Sequence, residues 1–580
     1  MRTTWVLLLC TTLSAGIVGC SDGKDDTTDA AGDDDDDDDT TGDDDDDTTA
    51  GDDDDDDDDT TAGDDDDDTP GDDDDDVTGD TGTPPVVALT VPEVLYGLAN
   101  ADNQMDWRNR DPNDNDLFEL VVTPSALAAE EITVTVSGTE NVRIYLDGAL
   151  LIDDDDHNPV TLPWPAADLP LMVEFGEFDV EGTLTLEALD ATGAVVATAE
   201  TRLRSAPLLL NHHLQPAETV VTMELDFGYA DNDNFVAAYQ AALGNNLETE
   251  LGRDYRFDPW IQDEVEFATS YTPDGQEMRA VIDSIRDRGL DDYPEDRWMG
   301  EDFGVLRFSQ FRYPNSLDSF GNLEVTPPVD GYPFGRIYYG AVPSYAPADS
   351  QLFNYLEDLA IQAPIQLDTT WLCVGHVDEF LTFIPDPTAP RGFRLFYTDT
   401  DAAWDVLEAM DPATQIPRYA GRNNHGYSTI GALLADQGLR DENDDLQDLV
   451  LDPILDDLTN ELGLLPEEIV PFPGLFERVP FCYGTVAALI PGMVNLVVSD
   501  FDGRTQLFMA DPFLRTDLGD QSTDPMIAAV NDLLPASIDP YYLDDWDIYH
   551  LGLGEVHCGS NVVRTPSFED WWTNDLGGSQ

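Results

Sequence analysis

Four residues in three distant stretches have side chains that suit one reaction. Cys558 lies in the glycine-flanked, strand-like segment YHLGLGEVHCGSNVVR, Asp263 in WIQDEVEF, and His376 and Asp378 in LCVGHVDEFLTF. Thiolate chemistry needs a nucleophile and a nearby proton shuttle, which a cysteine and a histidine supply. Two further carboxylates call for a cationic substrate, and a guanidinium suits them because it donates two parallel hydrogen bonds to one carboxylate. The set predicts attack of a thiol on a planar, guanidinium-like cation.

The elements that must hold these residues alternate between strands and helices. From about residue 206, short β runs such as VVTMELDFGY, FLTFIP and FRLFYT are separated by segments whose apolar residues recur at spacings of three and four. This pattern predicts a mixed α/β domain over residues 206–580, with Gln262 and Glu266 alternating with Asp263 along one strand. The predicted helices are 235–249, 350–362, 400–410, 441–462 and 524–535.

The preceding residues, 86–205, have a different pattern. The runs ITVTVSG, VRIYLDG, LMVEFG and GTLTLEAL alternate apolar and polar side chains, with Gly and Asp turns between them. This pattern predicts an all-β domain of the immunoglobulin-like sandwich type. An acidic stretch within it, with Asp102, Asn103 and Asp106, is rich in side-chain oxygens.

At these residues the chain resembles the protein-arginine deiminases, in order from about residue 206 to 580. The matching blocks are WIQDEVEF, DSIRDRGL, LDSFGNLEVTPPV, YPFGRIYYG, GHVDEFLTFIP, GFRLFY, MVNLVV, GEVHCGSNVVR and SFEDWW. The resemblance implies a five-bladed α/β propeller of the pentein type that hydrolyses peptidyl-arginine to citrulline and ammonia. It also implies that Asp263 and Asp378 bind the guanidinium. Cys558 would attack its carbon, and His376 would act as general acid and then as base.

The resemblance further implies residues that bind the rest of the substrate. Arg286 and Arg288, in DSIRDRGL, are expected to contact the backbone of a bound peptide, and Trp260 to line the channel around the arginine stem. The alternative is that the two arginines pair with neighbouring acids. Gly552 and Leu553 stand where animal members of the family carry larger, polar or basic groups, which predicts a more open substrate mouth.

Calcium is the cofactor that the resemblance implies. Animal members of the family carry calcium-binding acidic loops in a middle domain, so we interpret Asp102, Asn103 and Asp106 either as calcium ligands or as a plain acidic loop. Hard cations take carboxylate, amide and carbonyl oxygens, and both expected ligand sets lie beside Asp263, so that calcium would order the guanidinium pocket. The alternative is a group of salt-bridged acids without a metal. The first expected site comprises Gln262, Glu266 and Glu324 with the carbonyls of Phe320 and Leu323, and the second comprises Glu264, Asp283, Ser284 and Asp287.

The N-terminal region has the features of a targeting segment followed by a tether. Arg2, an apolar stretch and the sequence IVGC predict a lipoprotein signal over residues 1–19 with a lipid on Cys20, or else an ordinary secretory signal. Residues 20–85 consist of Asp blocks separated by Thr and Gly, which predicts a disordered linker. We expect a lipid-anchored protein of the outer membrane or cell surface, or otherwise a secreted one.

Charge and cysteine content narrow the classes of function. The formal net charge of −98 argues against nucleic-acid binding and fits basic protein substrates. Five cysteines are present, two of them in the N-terminal signal region, and the odd number that remains does not support a disulfide framework. Cys373 and Cys482 are therefore predicted to be structural thiols. His557 is predicted to point to the opposite side of its strand from Cys558, in a structural role.

Three other functions use parts of the same residue set. A hydrolase of free arginine or another guanidine would need the same catalytic groups. A catalytically inactive, lipid-tethered calcium-binding surface protein would keep only the acidic sites. A cysteine protease would need the thiol and imidazole but not the two guanidinium-binding acids. The sequence predicts no oligomeric state.

Overall fold

The computed structural model describes residues 89–573, except 102–115, 126–128, 155, 287, 301–302, 309–314, 342–349, 359, 422–425, 483 and 568. Several of the predictions lie outside the described residues: the signal segment 1–19, Cys20, the linker 20–85, the positions Asp102, Asn103 and Asp106, and Asp287. Among the helices that are described, none is long and apolar enough to cross a bilayer.

The described part of residues 89–205 forms two five-stranded sheets. Their strands are β1 (Leu89–Thr90), β2 (Val94–Gly97), β3 (Leu117–Pro124), β4 (Glu131–Ser137), β5 (Val142–Leu146), β6 (Ala149–Ile152), β7 (Val160–Pro163), β8 (Leu169–Phe175), β9 (Glu181–Leu189) and β10 (Val195–Ser205). The sheet orders are β1-β3-β8-β5-β6 and β2-β10-β9-β4-β7. In β3, Phe118, Leu120 and Val122 are buried and alternate with more exposed residues, which is the period-two pattern from which the strands were predicted.

Strands and helices alternate from residue 209 onward, so the predicted mixed α/β class is confirmed. The strands are β11 (Leu209–Leu210), β12 (Ala217–Glu224), β13 (Leu247–Leu251), β14 (Val265–Tyr271), β15 (Glu277–Asp283), β16 (Phe303–Arg307), β17 (Leu323–Val325), β18 (Ile337–Ala341), β19 (Ile365–Asp368), β20 (Leu381–Pro385), β21 (Phe393–Asp399), β22 (Ile469–Pro473), β23 (Phe476–Arg478), β24 (Val486–Ala488), β25 (Val497–Ser499), β26 (Thr505–Ala510), β27 (Ile538–Leu543) and β28 (Ser560–Arg564). The α-helices are α1 (Asp233–Leu243), α2 (Ile261–Glu264), α3 (Tyr293–Arg297), α4 (Ser350–Asp358), α5 (Thr400–Ala409), α6 (Ile430–Leu434), α7 (Gln437–Leu446), α8 (Asp452–Leu462) and α9 (Pro525–Leu533).

One topology recurs five times in this region. Two antiparallel strands are followed by a helical crossover to a third strand that is parallel to the second. Four of the units run in chain order: β14-β15-β16, β17-β18-β19, β20-β21-β22 and β25-β26-β27. The fifth unit is β28-β12-β13, which pairs the last strand of the region with an early one. This pairing brings the segment of Cys558 back to the beginning of the domain.

Two of the predicted helices end or break earlier than their apolar patterns suggested. The helix predicted at 235–249 ends at Leu243, because Gly244 adopts a positive φ of 58° and the chain then enters β13. The segment predicted as one helix at 441–462 is interrupted by a π-helical turn over Gln447–Leu451 between α7 and α8.

Cys373 and Cys482 form a disulfide, so the prediction that both are thiols is wrong. Their Cα atoms lie 5.5 Å apart although 109 residues separate them in sequence. A backbone hydrogen bond from Cys373 to the carbonyl of Val486 (2.8 Å) holds the two segments together. Three cysteines remain after the N-terminal region, and this odd number was misleading. Cys558 is a free thiol, so the other two are left to pair with each other.

Candidate active site

A short helix, rather than a strand, carries Asp263. All four residues of α2 are buried, and β14 follows directly. Gln262 lies in α2, whereas Glu266 lies in β14, and the Nε2 of Gln262 donates to Glu266 Oε2 at 3.1 Å. The prediction that these residues alternate along one strand is therefore wrong. The backbone N–H of Gln262 donates to the carbonyl of Cys558 (3.3 Å), which ties α2 to the segment of the thiol.

Cys558 lies in a turn immediately before β28, not in the strand-like segment that was predicted. The backbone N–H groups of Cys558 and His557 donate to Asn495 Oδ1 at 3.2 and 2.9 Å. The side-chain amide of Asn495 also contacts Cys558 Sγ at 3.2 Å. Sequence reasoning missed Asn495, although a polar residue inside the apolar run MVNLVV is a signal that would have found it. A side chain at Gly559 would collide with Tyr549, at 2.3 Å, so this flanking glycine serves the turn.

The thiol of Cys558 is buried and close to a carboxylate. Sγ lies 3.4 Å from Asp378 Oδ2, and the residue is 4% exposed. Burial, with the negative charges of Asp378 and Asp263, raises the pKa of the thiol well above its usual value. The resting thiol is therefore protonated at neutral pH, and a positive charge between the two carboxylates would lower its pKa.

The ring of His376 has one nitrogen committed and one available. Its Nε2 lies 2.7 Å from the carbonyl oxygen of Ser316. A carbonyl can only accept, so Nε2 carries the proton in the neutral ring and Nδ1 has a lone pair. Nδ1 is buried, has no hydrogen-bond partner within the described part of the chain, and lies 3.8 Å from Asp263 Oδ1. A nitrogen in this state is suited to accept or deliver a proton.

Three of the predicted catalytic groups converge at Gly321. A Cβ atom at this position would lie 2.6 Å from His376 Nδ1, 3.2 Å from Asp378 Oδ2 and 3.4 Å from Asp263 Oδ1. The same Asp378 oxygen contacts the thiol of Cys558. The structure thus brings all four predicted residues together around one small volume, and any side chain at position 321 would fill it.

Arg288 and Arg286 lie against Asp263 rather than in open solvent. Arg288 Nη2 donates to Asp263 Oδ2 at 2.8 Å, and Arg286 Nη1 lies 3.7 Å from the same oxygen. Arg288 also lies 3.5 Å from Asp258, and Arg286 donates to the hydroxyl of Ser319. Burial opposes the charge of Asp263, but Arg288, His376 and Arg286 outweigh it and hold the pKa of this carboxyl below its usual value. The chain's own guanidinium thus occupies one of the two carboxylates.

Trp260 covers the thiol segment. Its ring packs edge-on against Tyr549, and a Cβ at Gly554 would lie 2.4 Å from the indole and 3.2 Å from Cβ of Cys558. A Cβ at Gly552 would lie 2.9 Å from the same ring. The indole of Trp260 therefore fills the space that a side chain at position 552 would need. The glycine at this position does not by itself open the substrate mouth.

His557 faces the site, so the prediction that it points away from Cys558 is wrong. Its Nδ1 lies 2.9 Å from Asp378 Oδ2, the oxygen that also contacts Cys558 Sγ. Strand alternation does not apply because both residues lie in the turn that is held by Asn495. His557 thereby holds Asp378 in place beside the thiol.

One set of the predicted calcium ligands lies directly behind Asp263. Both carboxylate oxygens of Glu264 and Oδ1 of Asp283 are buried and lack hydrogen-bond partners among the described residues. Burial and the charge of Asp283 raise the pKa of Glu264 well above its usual value, and burial raises that of Asp283 to about 8 despite a 2.7 Å contact with Arg307. Ser284 donates from its hydroxyl to the carbonyl of Asp318 at 2.9 Å. Unpaired buried carboxylates fit a hard cation, whose charge they would neutralise.

The other predicted set lies between α2 and β17. Gln262 donates to the carbonyl of Phe320 at 3.2 Å as well as to Glu266, and Leu323 and Glu324 begin β17. Burial raises the pKa values of Glu266 and Glu324 to about 8. These oxygen donors also fit a hard cation.

The chain belongs to the protein-arginine deiminase family. A family model described as "Protein-arginine deiminase (PAD)" matches residues 195–573, which include every residue of the site described above.

Curated relatives agree with this family. The chain is 31% identical over 470 residues to human protein-arginine deiminase type-1, an alignment that covers 78% of this chain and 66% of the relative. It is 32% identical to the type-4 protein of Rattus norvegicus, over 69% of this chain and 61% of that protein. It is 31% identical to human type-4, over 71% and 61%. The chain thus spans less than two thirds of the length of the relatives that it matches.

Proposed function

We propose that this protein hydrolyses arginine residues in peptides or proteins to citrulline and ammonia, and that it needs calcium to do so. Its membership of the deiminase family supports this function. The observation that carries the proposal is the convergence at Gly321, where His376, Asp263 and Asp378 face one volume beside the thiol of Cys558.

The first step is binding of the guanidinium between Asp263 and Asp378. A guanidinium already contacts Asp263, namely that of Arg288, so the substrate must take its place. We propose that Arg288 and Arg286 then turn to the backbone of the bound peptide. Trp260 would line the arginine stem, since its ring lies against the thiol segment. Two carboxylates orient the planar cation with its carbon toward sulfur.

The second step is attack by Cys558. The bound cation offsets the charges of Asp378 and Asp263, which otherwise keep the thiol protonated. Cys558 passes its proton to the lone pair of His376 Nδ1 as sulfur adds to the guanidinium carbon. The tetrahedral adduct then collapses as Nδ1 delivers this proton to the departing nitrogen and the carbon–nitrogen bond breaks. Ammonia leaves and a thiouronium on Cys558 remains. His376 Nδ1 then takes a proton from water, which attacks the same carbon and releases citrulline and the thiol.

Calcium has a structural part in this proposal. We propose that Glu264, Asp283, Ser284 and Asp287 hold one ion, and that Gln262, Glu266, Glu324 and the carbonyls of Phe320 and Leu323 hold another. Bound calcium would supply positive charge to acids that lack it. Glu264 adjoins Asp263 in α2, and Ser284 precedes the loop of Arg286 and Arg288. Ordering these segments would help to release the internal arginines from Asp263.

The wider architecture is part of the same proposal. We propose that the five three-stranded units form the blades of a pentein-type propeller over residues 206–580, closed by the pairing of β28 with β12. The two sheets before it would form an immunoglobulin-like domain over residues 86–205.

We further propose that the protein works outside the cytoplasm. The disulfide between Cys373 and Cys482 is typical of proteins in oxidising compartments. The predicted signal at residues 1–19, a lipid on Cys20 and a disordered tether over 20–85 would place the enzyme at the cell envelope, where basic proteins or peptides are its substrates.

A citrulline assay tests the activity. The purified protein is incubated with a blocked arginine peptide or with free arginine, each with calcium or with a chelator. We expect peptide turnover that is lost on chelation. Turnover of free arginine alone would instead identify a free-guanidine hydrolase. Absence of citrulline under every condition, with measurable calcium binding, would contradict the catalytic proposal.

A further inference from the structure

A cluster of two imidazoles and a carboxylate lies beside Asp378, whose Oδ2 contacts one of the two imidazoles. The ligand atoms of His213, Glu324 and His557 all lie within 4.8 Å of one another. His213 Nε2 lies 3.5 Å from Glu324 Oε2, and His557 Nε2 lies 3.4 Å from Glu324 Oε1. Each imidazole therefore faces a different oxygen of the same carboxylate.

The two spacings between histidine nitrogen and glutamate oxygen lie in the range found between neighbouring ligands of a tetrahedral metal ion. Zinc binds imidazole nitrogen and carboxylate oxygen at about 2.0–2.2 Å, which places neighbouring ligand atoms about 3.3–3.6 Å apart in a tetrahedron. Two histidines and one glutamate are a ligand set that zinc uses when a fourth position stays open. Calcium takes oxygen ligands and does not favour imidazole.

Both histidines are oriented as metal ligands usually are. His213 Nδ1 lies 3.2 Å from the carbonyl oxygen of Phe383, which can only accept, so Nδ1 carries the proton of the neutral ring. His557 Nδ1 lies 2.9 Å from Asp378 Oδ2. In each ring the second nitrogen, Nε2, is turned toward Glu324. A carbonyl or carboxylate behind the ring is the common outer support of a metal-binding histidine.

The carboxylate between the two rings has unused bonding capacity. Glu324 is 7% exposed, and its Oε1 has no hydrogen-bond partner within the residues that the structure describes. A cavity of about 30 Å³ lies beside it and is lined by all three ligands, which is room for a single ion or water. Arg564, which also lines this cavity, donates to the backbone carbonyls of Gln215 (3.0 Å) and Val498 (2.9 Å).

We propose that His213, Glu324 and His557 form a binding site for a divalent transition-metal ion of the zinc type. The site differs in chemistry from the oxygen-only sets proposed for calcium, but it shares Glu324 with one of them. Zinc and calcium therefore compete for Glu324, and this second statement rests on the proposed calcium function. Through His557 the zinc site also contacts Asp378, one of the two proposed guanidinium ligands.

Zinc binding by the full-length chain tests the site. All variants are made in a Cys558→Ala background, so that the free thiol cannot bind zinc. The Asp-rich segment is present in every variant, so any zinc that it binds is the same in all of them. We expect one high-affinity zinc per chain by calorimetry, and a tetrahedral visible spectrum with cobalt(II). His213→Gln should weaken the high-affinity binding about 100-fold, because it removes one of the three proposed ligands of the ion.

His212→Gln is the matched control. His212 is the buried neighbour of His213, but its ring accepts from the backbone N–H of Leu214 and is not part of the cluster. The His212→Gln variant should keep a zinc affinity within about threefold of that of the parent. Melting curves without metal establish that the His212→Gln and His213→Gln variants both fold. Equal zinc binding by the His213 variant and the parent, or absence of high-affinity zinc in the parent, would overturn the proposal.

The competition is measured separately. Zinc should raise the calcium concentration needed for half of the thermal stabilisation in the parent, and should do so less in His213→Gln. Zinc binding without this shift would overturn the shared role of Glu324 and leave the site itself in place. Neither experiment measures turnover. A failure of the proposed deiminase activity would therefore leave the outcomes of the zinc-binding and competition experiments unaffected.

Discussion

The two carboxylates of the proposed guanidinium pocket stand in different surroundings. Asp378 contacts the thiol of Cys558 and the ring of His557, which lie in a turn that Asn495 holds. Asp263 instead contacts Arg288 and adjoins Glu264, whose two carboxylate oxygens have no hydrogen-bond partner among the described residues. One half of the pocket is assembled for catalysis, and the other half is occupied by the chain itself. Under the proposed function, the Asp263 side is the part of the pocket that calcium binding would have to change.

Neutralising the two carboxylates one at a time is the strongest way to separate the halves. We expect Asp263→Asn and Asp378→Asn each to lower kcat/KM by about 10²–10³-fold. Each substitution removes one of the two negative charges that face the buried guanidinium of the substrate, and such a loss costs about 2–5 kcal/mol. Citrulline formation from a blocked arginine peptide measures this loss. If either variant retains near-parental turnover, that carboxylate does not bind the guanidinium.

The same two variants should differ in the reactivity of the thiol. Asp378 lies 3.4 Å from sulfur and helps to raise its pKa, so Asp378→Asn should speed alkylation of Cys558 by iodoacetamide near pH 7.5 by about tenfold for each unit of pKa that is lost. Asp263→Asn should have a smaller effect, since Asp263 is the weaker of the two charges acting on the thiol.

The alkylation rate also has a defined pH dependence. The thiolate is the reactive form, and a raised pKa means that its fraction grows about tenfold per pH unit until the pH reaches that pKa. A rate that is flat above neutral pH in the parent would contradict the account of the thiol.

Removing charge behind Asp263 should change the calcium requirement more than the maximal rate. We expect Glu264→Gln to raise the calcium concentration for half-maximal activity by about tenfold or more, since the number of charged ligands sets calcium affinity. Glu277→Gln is the control, because Glu277 begins the same strand that ends at Asp283 but lies far from the acidic pair and is partly exposed. Equal calcium dependence in both variants would remove Glu264 from the site.

Arg288→Ala separates its contact with Asp263 from its proposed role in peptide binding. We expect turnover of the peptide to fall about 10–100-fold, because a hydrogen bond from a charged group contributes about 1.5–3 kcal/mol. Turnover of free arginine should not fall, since Asp263 is then released from its internal partner. An equal loss of turnover with the peptide and with free arginine would contradict peptide recognition by Arg288. Arg279→Ala serves as the control, because it also removes an arginine that pairs with an acid, Glu218.

The disulfide should affect stability with little effect on chemistry. Replacing Cys373 and Cys482 by Ala opens a loop of 109 residues and should lower the free energy of unfolding by about 2–5 kcal/mol. Thermal melting measures the change, and residual activity well below the melting range should stay near that of the parent. An unchanged melting temperature would indicate that the bond does not form in the protein.

Sequence reasoning reached the mixed α/β class and the strands whose apolar runs it named, because alternation of apolar residues reports directly on burial; these strands are β4, β5, β8, β9, β12, β20 and β21. Through the resemblance to the deiminases it pointed to Asp263, His376, Asp378 and Cys558, which the structure brings close together. It failed where geometry is local: the helical turn at Gln262 and the turn at Cys558 both resemble strands in sequence. It also failed where partners are distant, as for Asn495 and for the pairing of Cys373 with Cys482. Pairing of Arg288 with an acid of the chain was one of two alternatives that the sequence left open.

The most direct test of the account is to trap the reaction at Cys558. The protein is quenched in acid during turnover of a blocked arginine peptide with calcium, and the adduct is located by mass spectrometry. We predict an adduct on Cys558 with the mass of the peptide less one ammonia, and complete loss of both adduct and citrulline in Cys558→Ala. Citrulline formation that persists in Cys558→Ala would contradict the central claim that this thiol attacks a guanidinium held between Asp263 and Asp378.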